Sequence, residues 1–486
     1  MGCGVLAVVL NKEGRMLEDC VKTGLKALQH RGETSCGVSF GRMRGFGLET
    51  RKSMGLVSGS SIFNAPIVGD MAIGHTRYTT SSGANIQNAQ PIELTSKSGI
   101  KYAISHNGNI ANSEELRSML RLPEGISDTV ILGHLLGESL CASELNHDAI
   151  RAELDKALGS YSLAIAISGP DSKVIAIRDP LGYMPLSVGS NQDGFFVASE
   201  TVAFGPKYLN AINREVKPGE MVVITNAGMS SYQLLVHKPP LVGESPLLDA
   251  WRMDILGQFC TFQAPYMMNA ASKIGGQNVY VIRERIGSRI AQVHRPKVDF
   301  VVPVPDSGRS VANGYSQASG LSIREGLLKD RYEGKRGFMQ DGQEKREEVI
   351  NKKLNVIDAV VEGKNILVMD DSLVRGSTAK RTVYDLRAAG AREVHMAFSF
   401  PPVVSQCYYG IDFYDAQLAA RPYRNMPPEE LNAAIATLID ANSVYYATIE
   451  DLVYAIGQPR SQLCVACLTE KYVQDIKSQT EEFRKR

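Results

Sequence analysis

The sequence predicts two unlike halves: an α+β first half whose sheets are covered by helices, and an α/β second half built on a parallel sheet. Three observations carry this. Up to about residue 235, short runs rich in Val, Ile and Tyr alternate with turn residues. Later on, apolar strands are each followed by a turn and a helical stretch, an order that requires crossover connections and hence a parallel sheet. Between the two, VHKPPLVGESP (236–246) holds three prolines and little apolar periodicity, which marks a linker.

The first element is the apolar run Val5 to Leu10 in MGCGVLAVVL, directly after Cys3. It is too short for a secretory signal and is ended by Asn11-Lys12-Glu13. Leu6 stands where a myristoylation signal needs Ser or Thr. Taken by position alone, Cys3 reads as a buried structural thiol. YAISHNGNI, SYSLAIAI, KVIAIRDP, GFFVASE and EMVVITN follow as strands, and 18–29, 113–120 and 128–139 carry helical spacing. In the second half VDFVVPVP (298–305) leads into Asp306-Ser307-Gly308 and a helix. KNILVMDD (364–371) leads into SLVRGST and another helix, and EVHMAFSFPP (393–402) is the next strand.

A chain of 486 residues suggests two or three domains. Lys and Arg number 53 against 52 Asp and Glu, so nothing drives the chain toward nucleic acid or an anionic membrane. No apolar stretch reaches the roughly 18 residues of a membrane span. Eight cysteines are too sparse for a disulfide scaffold, and the expected compartment is the cytosol. There, a pair such as Cys464-Val465-Ala466-Cys467 points to metal or redox chemistry.

The sharpest local signal is ILVMDDSLVRGSTAKRT. A strand delivers Asp370 and Asp371 to its carboxyl end, and the loop Ser372 to Thr378, with Val374 and Arg375 in it, opens a helix. Free N–H groups at a helix start suit a phosphate. Gly376 lets the backbone come close, and Ser377 and Thr378 add hydroxyl donors. Two aspartates repel phosphate, so they suit ribose hydroxyls and a hydrated Mg²⁺. A plain helix cap needs only one of them.

This stretch resembles the phosphoribosyl pyrophosphate motif of type I phosphoribosyltransferases. VPVPDSGRS (302–310) resembles the pyrophosphate loop of that fold, and residues 327–355 resemble its mobile flag loop. Together with the first half they resemble the glutamine phosphoribosyl pyrophosphate amidotransferases over about residues 3–470. The resemblance implies an Ntn-hydrolase-type glutaminase domain with αββα layers over 3–235, a linker over 236–250 and a type I phosphoribosyltransferase domain over 251–425. A C-terminal helical segment over 426–486 would follow.

It also implies roles. Cys3 would attack the glutamine amide with its own α-amine as base, since an amine of pKa near about 8 can take the thiol proton. ALQHRGETSCG (27–37) matches a signature beside that nucleophile. Arg77 in GHTRYTT would hold the substrate carboxylate, Asp128 its ammonium, and Asn107 with Gly108 the oxyanion. Read singly, these are also a surface ion pair, a helix cap and a turn dipeptide. Asp306, Ser307, Gly308, Lys329 and Arg331 would meet the pyrophosphate, and Ser307 would join Asp370 and Asp371 at Mg²⁺. Cys260, Cys407, Cys464 and Cys467 match the ligands of the family's iron–sulfur branch and imply a [4Fe–4S] cluster, with zinc the competitor. Cys20, Cys36 and Cys141 read as packing residues.

The implied reaction converts glutamine and phosphoribosyl pyrophosphate to 5-phosphoribosylamine, with purine nucleotides as inhibitors and a homotetramer or homodimer as the assembly. Three departures stand out. Met1-Gly2 precede Cys3, so its amine is a peptide nitrogen unless both are removed; otherwise activity would depend on ammonia alone. Met184 stands where the family usually has Arg or Lys, and Asp341-Gly342 alter the flag loop. Two alternatives stand beside this reaction: another Ntn amidotransferase, which would need a sugar-isomerase domain or an adenylating loop that the second half does not show, and a non-catalytic sensor of phosphoribosyl pyrophosphate, whose DNA-binding version would want a basic face that the charge balance does not supply.

Overall fold

The computed structural model describes residues 2–14, 16–78, 85–205, 212–235, 259–329, 354–413, 415–473 and 476. The linker over 236–250, Arg331 and the Asp341-Gly342 stretch of the flag loop lie outside the described residues.

Alternation along Gly4–Leu10 sets the layering of the first half. Val5, Ala7 and Val9 point to one face and Leu6, Val8 and Leu10 to the other, and all are buried. The strand therefore lies inside a sheet covered on both sides. That sheet has seven strands, in the order Ile212–Glu215, Ser187–Asn191, Gly194–Ala198, Gly4–Leu10, Met71–Arg77, Ser35–Gly41 and Leu48–Met54. A second sheet has six, in the order Gly228–Gln233, Glu220–Thr225, Lys173–Arg178, Gly159–Ser168, Lys101–Ile110 and Ile92–Thr95.

The two sheets pack face to face. Val5, Ala7, Val9 and Ile73 from the first share a core with Ala103, Ala164, Ala176 and Val222 from the second. On its other face the first sheet meets the helix Met16–Ala27 through Leu17, Val21 and Leu25. Glu18 and Asp19 in that helix's first turn and Lys26 in its last complement its dipole. The second sheet is covered by Asp128–Cys141 and His147–Leu154. The layers run helix, sheet, sheet, helix, as the resemblance implies.

The second half holds four parallel strands in the order Phe300–Pro303, Asn365–Asp370, Glu393–Phe398 and Ser443–Tyr446. Odd and even positions again divide the faces. Val301, Leu367, Met369 and Ala397 pack toward the helices Val279–Val293 and Gly308–Ser319. Val302, Ile366, Val368 and Met396 pack toward Ser377–Ala388 and Pro428–Ile439. The sheet thus takes its fourth strand from beyond residue 425, the bound the resemblance implies for this domain. Ser443–Tyr446 is a four-residue strand between two helices, and Tyr446 pairs with Phe398.

One core belongs to both halves. Leu181, Tyr183 and Met184, from the first half, are fully buried among Phe262, Met267, Ile286, Phe400 and Tyr409 of the second. This accounts for Met184. Its carbonyl accepts from Arg178 Nε at 2.9 Å and Ser162 Oγ at 3.1 Å, and its sulfur lies 3.6 Å from Gln263 Nε2. An apolar side chain suits that buried position, where an unpaired cation would be costly. Among the described residues no helix is long and apolar enough to cross a membrane.

Candidate active sites

The first cleft forms where three strand ends meet. Cys3 precedes Gly4–Leu10, Arg77 ends Met71–Arg77, and Asn107 and Gly108 lie near the end of Lys101–Ile110. With Gly2, Tyr78, Gln90, His106, Asp128 and Gly410 they line one cleft. The four residues singled out around Cys3 in the sequence are therefore brought together.

Each has a definable environment. The Cys3 thiol donates to the Tyr78 carbonyl at 3.9 Å, and the Cys3 carbonyl accepts from Arg31 Nε at 2.9 Å. Burial pushes the thiol's pKa up, while Arg77 and Arg31 draw it down. Arg77 is itself buried, which lowers its pKa, with Cys3 and Asp128 acting in the opposite sense. Asp128 accepts from the Thr129 N–H at 2.8 Å and the Ile110 N–H at 3.3 Å. Asn107 is fully buried, yet neither its Nδ2 nor its Oδ1 has a partner. An unmet buried amide calls for an explanation, and a side chain aimed into a cleft finds it in a ligand.

Sequence reasoning missed the supports behind this cleft. Arg31 pairs with Glu200 at 2.6 Å, and both side chains are fully buried. Glu200 also accepts from the Asn269 N–H at 2.9 Å and Ser272 Oγ at 2.7 Å, both in the second half. Arg31 lies inside a quoted motif, but nothing in the sequence marked Glu200. Burial pushes the Glu200 carboxyl up, and His30 and Arg31 overcome this to hold it at about 2. Its folded pKa is thus below its ordinary 4.5. The resulting stabilisation is complete above pH 4.5 and fades as pH falls toward 2. Glu200→Gln is expected to cost about 3 kcal/mol at pH 7 in a denaturant titration. The gap to the wild type should close in acid; a gap independent of pH would contradict the assignment.

The second site sits at the carboxyl ends of the parallel strands. Asp370 ends its strand, and Asp371 accepts from Ser307 Oγ and, at 2.8 Å, from Ser372 Oγ. Burial raises both carboxyls, and Asp371's charge raises Asp370 further; Ser307, Ser372 and Arg283 act against burial on Asp371. Gly376 caps the helix Ser377–Ala388 with φ 82, a left-handed conformation that favours glycine. Val374 and Arg375 lie in that loop, and the Val374 carbonyl accepts from the Ala419 N–H at 2.9 Å. Asp306 pairs with Arg309 and Lys329, each at 3.3 Å. The Gly308 N–H donates to the Val304 carbonyl at 3.0 Å.

The Tyr266 hydroxyl is raised by burial, then by Asp371, Asp370 and Tyr78. Tyr78 belongs to the first cleft and the aspartates to the second.

The four cysteines lie in or against one apolar cluster. Cys260 and Cys464 are register partners on two parallel strands, and Val404 and Ser405 donate to the Cys467 carbonyl. Burial and the neighbouring thiols raise Cys260 and Cys467. The Tyr409 N–H donates to Cys407 Sγ at 3.3 Å. Among the described residues, no three His, Cys, Asp or Glu side chains converge tightly enough to hold a metal ion as they stand.

Comparison with known proteins completes the picture. A glutamine amidotransferase domain family matches residues 75–206. An amidophosphoribosyltransferase of Methanocaldococcus jannaschii is 34% identical, covering 98% of each chain. A solved Bacillus subtilis glutamine phosphoribosylpyrophosphate amidotransferase, complexed with ADP and GMP, is 33% identical with a TM-score of 0.81, over 98% of each chain. A structure described as the allosteric regulatory enzyme of purine biosynthesis is also 33% identical, with a TM-score of 0.82 over 98% of this chain and 97% of its own.

Proposed function

The chain belongs to the amidophosphoribosyltransferase family, and from that premise we infer how its two sites divide the work. The reaction transfers glutamine-derived ammonia to C1 of 5-phosphoribosyl 1-pyrophosphate. The products are 5-phosphoribosylamine, glutamate and pyrophosphate, and this is the first step of purine biosynthesis.

At the first site, Cys3 Sγ attacks the glutamine side-chain carbonyl, with its own freed α-amine taking the thiol proton and passing it to the leaving ammonia. Arg77 holds the substrate's carboxylate and Asp128 its ammonium. Asn107, with its idle buried amide, and Gly108 face the developing oxyanion. Water then cleaves the thioester to glutamate.

At the second site, the loop Val374 to Thr378 takes the 5-phosphate at the helix start, and Asp306, Ser307, Lys329 and Arg331 meet the pyrophosphate. Asp370, Asp371 and Ser307 would hold Mg²⁺, and the fit rests on two buried like charges that need a cation. When bound, Mg²⁺ supplies countercharge to the departing pyrophosphate. Ammonia attacks C1 as the C1–O bond to pyrophosphate breaks. The observation that carries the coupled reading is that the second half helps build the first site: Gly410 lines the Cys3 cleft, and Glu200 behind it accepts from Asn269 and Ser272. An enclosed route between the two sites keeps ammonia unprotonated and water away.

The test is pyrophosphate release with glutamine and, separately, with ammonium. Release with neither sinks the reading. Release with ammonium only supports a second reading, in which Cys3 keeps its preceding residues. Gly2 is buried beside Asn107 and Arg31, which favours that reading where the residue is retained.

Cys260, Cys407, Cys464 and Cys467 would hold a [4Fe–4S] cluster, with zinc as the competitor. Supporting a thiolate-bound group are the place of all four cysteines in or against one apolar cluster and the Tyr409 N–H donated to Cys407 Sγ. Protein purified without oxygen is expected to carry about four iron and four sulfide per chain, and Cys467→Ser to lose both. Zinc at about one per chain would overturn the cluster. Purine nucleotides as inhibitors, a homotetramer or homodimer, and a cytoplasmic location complete the proposal. The ADP and GMP in the Bacillus relative support the first of these.

A further inference from the structure

The first cleft is completed from the second half. Gly410 lines it, although it lies about three hundred residues beyond Asn107 and Gly108 in sequence. It belongs to the loop Cys407-Tyr408-Tyr409-Gly410, which makes three contacts in succession with the first half. Asn109 Nδ2 donates to the Tyr408 carbonyl at 2.8 Å. Ser160 Oγ donates to the Tyr409 carbonyl at 2.7 Å. Gly410 then lies against the Gly108 backbone, so that a methyl group at 410 would meet Gly108 C at 3.0 Å and its Cα and O at 3.2 Å. Gly108 is wedged from the other side too, because a side chain there would strike the Ser160 carbonyl.

We propose that Gly410 is a positioning residue of the glutamine site: its lack of a side chain, held in place by the Tyr408 and Tyr409 carbonyl contacts, sets where the Gly108 peptide stands beside Cys3. This deepens the functional reading and rests on the oxyanion role given there to Asn107 and Gly108. Catalysis by fixed dipoles depends on donor placement at the scale of tenths of an ångström. A methyl at 410 cannot fit without moving Gly108 by about that much. Since φ at 410 is 102, an alanine is also strained there, and the loop cannot absorb the methyl by a small rotation.

The inference separates chemistry from substrate binding. Arg77 and Asp128, which hold the two charged ends of glutamine, stand on other elements, the end of the strand Met71–Arg77 and the start of the helix Asp128–Cys141. Displacing Gly108 therefore lowers turnover and leaves glutamine affinity alone.

The experiment uses the full chain with its N-terminus verified by mass. Wild-type turnover with glutamine, together with its loss in Asn107→Ala, tests the underlying reading. Gly410→Ala is then expected to lower glutamine-dependent kcat at least about tenfold, with KM for glutamine and ammonium-dependent turnover both within about twofold. Ser160→Ala, which only removes one hydrogen bond from the clip, is expected to show the same split at about threefold. If Asn107→Ala is crippled while Gly410→Ala and Ser160→Ala both match the wild type, the inference is wrong and the reading survives. If Gly410→Ala loses ammonium-dependent turnover as well, Ser160→Ala decides, and an unchanged kcat there overturns the proposal.

Discussion

Cys3→Ala is expected to lower glutamine-dependent pyrophosphate release by at least about 1,000-fold while ammonium-dependent release stays within about twofold. The size follows from the absence of a substitute. Among the described residues that line the cleft Cys3 carries the one thiol, while Arg77, Asn107 and Asp128 supply charge and hydrogen-bonding groups. Removing the sulfur leaves glutamine bound and inert. The second half keeps its own strands, helices and loops, so supplied ammonia still reaches C1. Glutamine KM cannot be read from so slow a variant, and binding is better followed directly. Equal loss with both nitrogen sources would show that Cys3 holds the fold together, returning it to the buried structural thiol that its position first suggested.

The second large effect belongs to Asp371. Asp371→Asn should remove turnover with either nitrogen source by at least about 1,000-fold. Asp371 is buried and is approached by Ser307, Ser372 and Arg283, one group from each of three separate segments. It is therefore a hub as well as a charge. The amide keeps the volume and one acceptor oxygen but halves the site's negative charge, which is what a hydrated divalent cation binds. Thermal stability should hold or rise, because two buried like charges no longer face each other. Calorimetry with Mg²⁺ and phosphoribosyl pyrophosphate checks the first point and a melting curve the second. An active Asp371→Asn would remove the pair from the reaction.

What the sequence made legible was local. Asp370-Asp371 followed by Gly376-Ser377-Thr378 carries its own geometry, because a strand end and a helix start lie within nine residues. Asn107-Gly108 stood out in the same way. The layering of the first half was legible because alternation along Gly4–Leu10 and its neighbours has period two. The strand Ser443–Tyr446 was not, since SVYY is short and its flanking helices dominate the pattern. Glu200, Gln263 and Gly410 were invisible for a different reason. Their partners lie between about 70 and 300 residues away, and no periodicity encodes a contact at that range. Arg31 shows both limits at once: its motif was quoted, and its buried carboxylate partner was not suspected.

The apolar mass formed by Leu181, Tyr183 and Met184 with Phe262, Phe400 and Tyr409 bears on how this enzyme can be dissected. A fragment stopping at residue 235 would present three large oily groups to water, together with a Glu200 stripped of Asn269 and Ser272. Such a piece is built to clump, and swapping either end of the gene for a relative's would need matched changes on both sides of the seam.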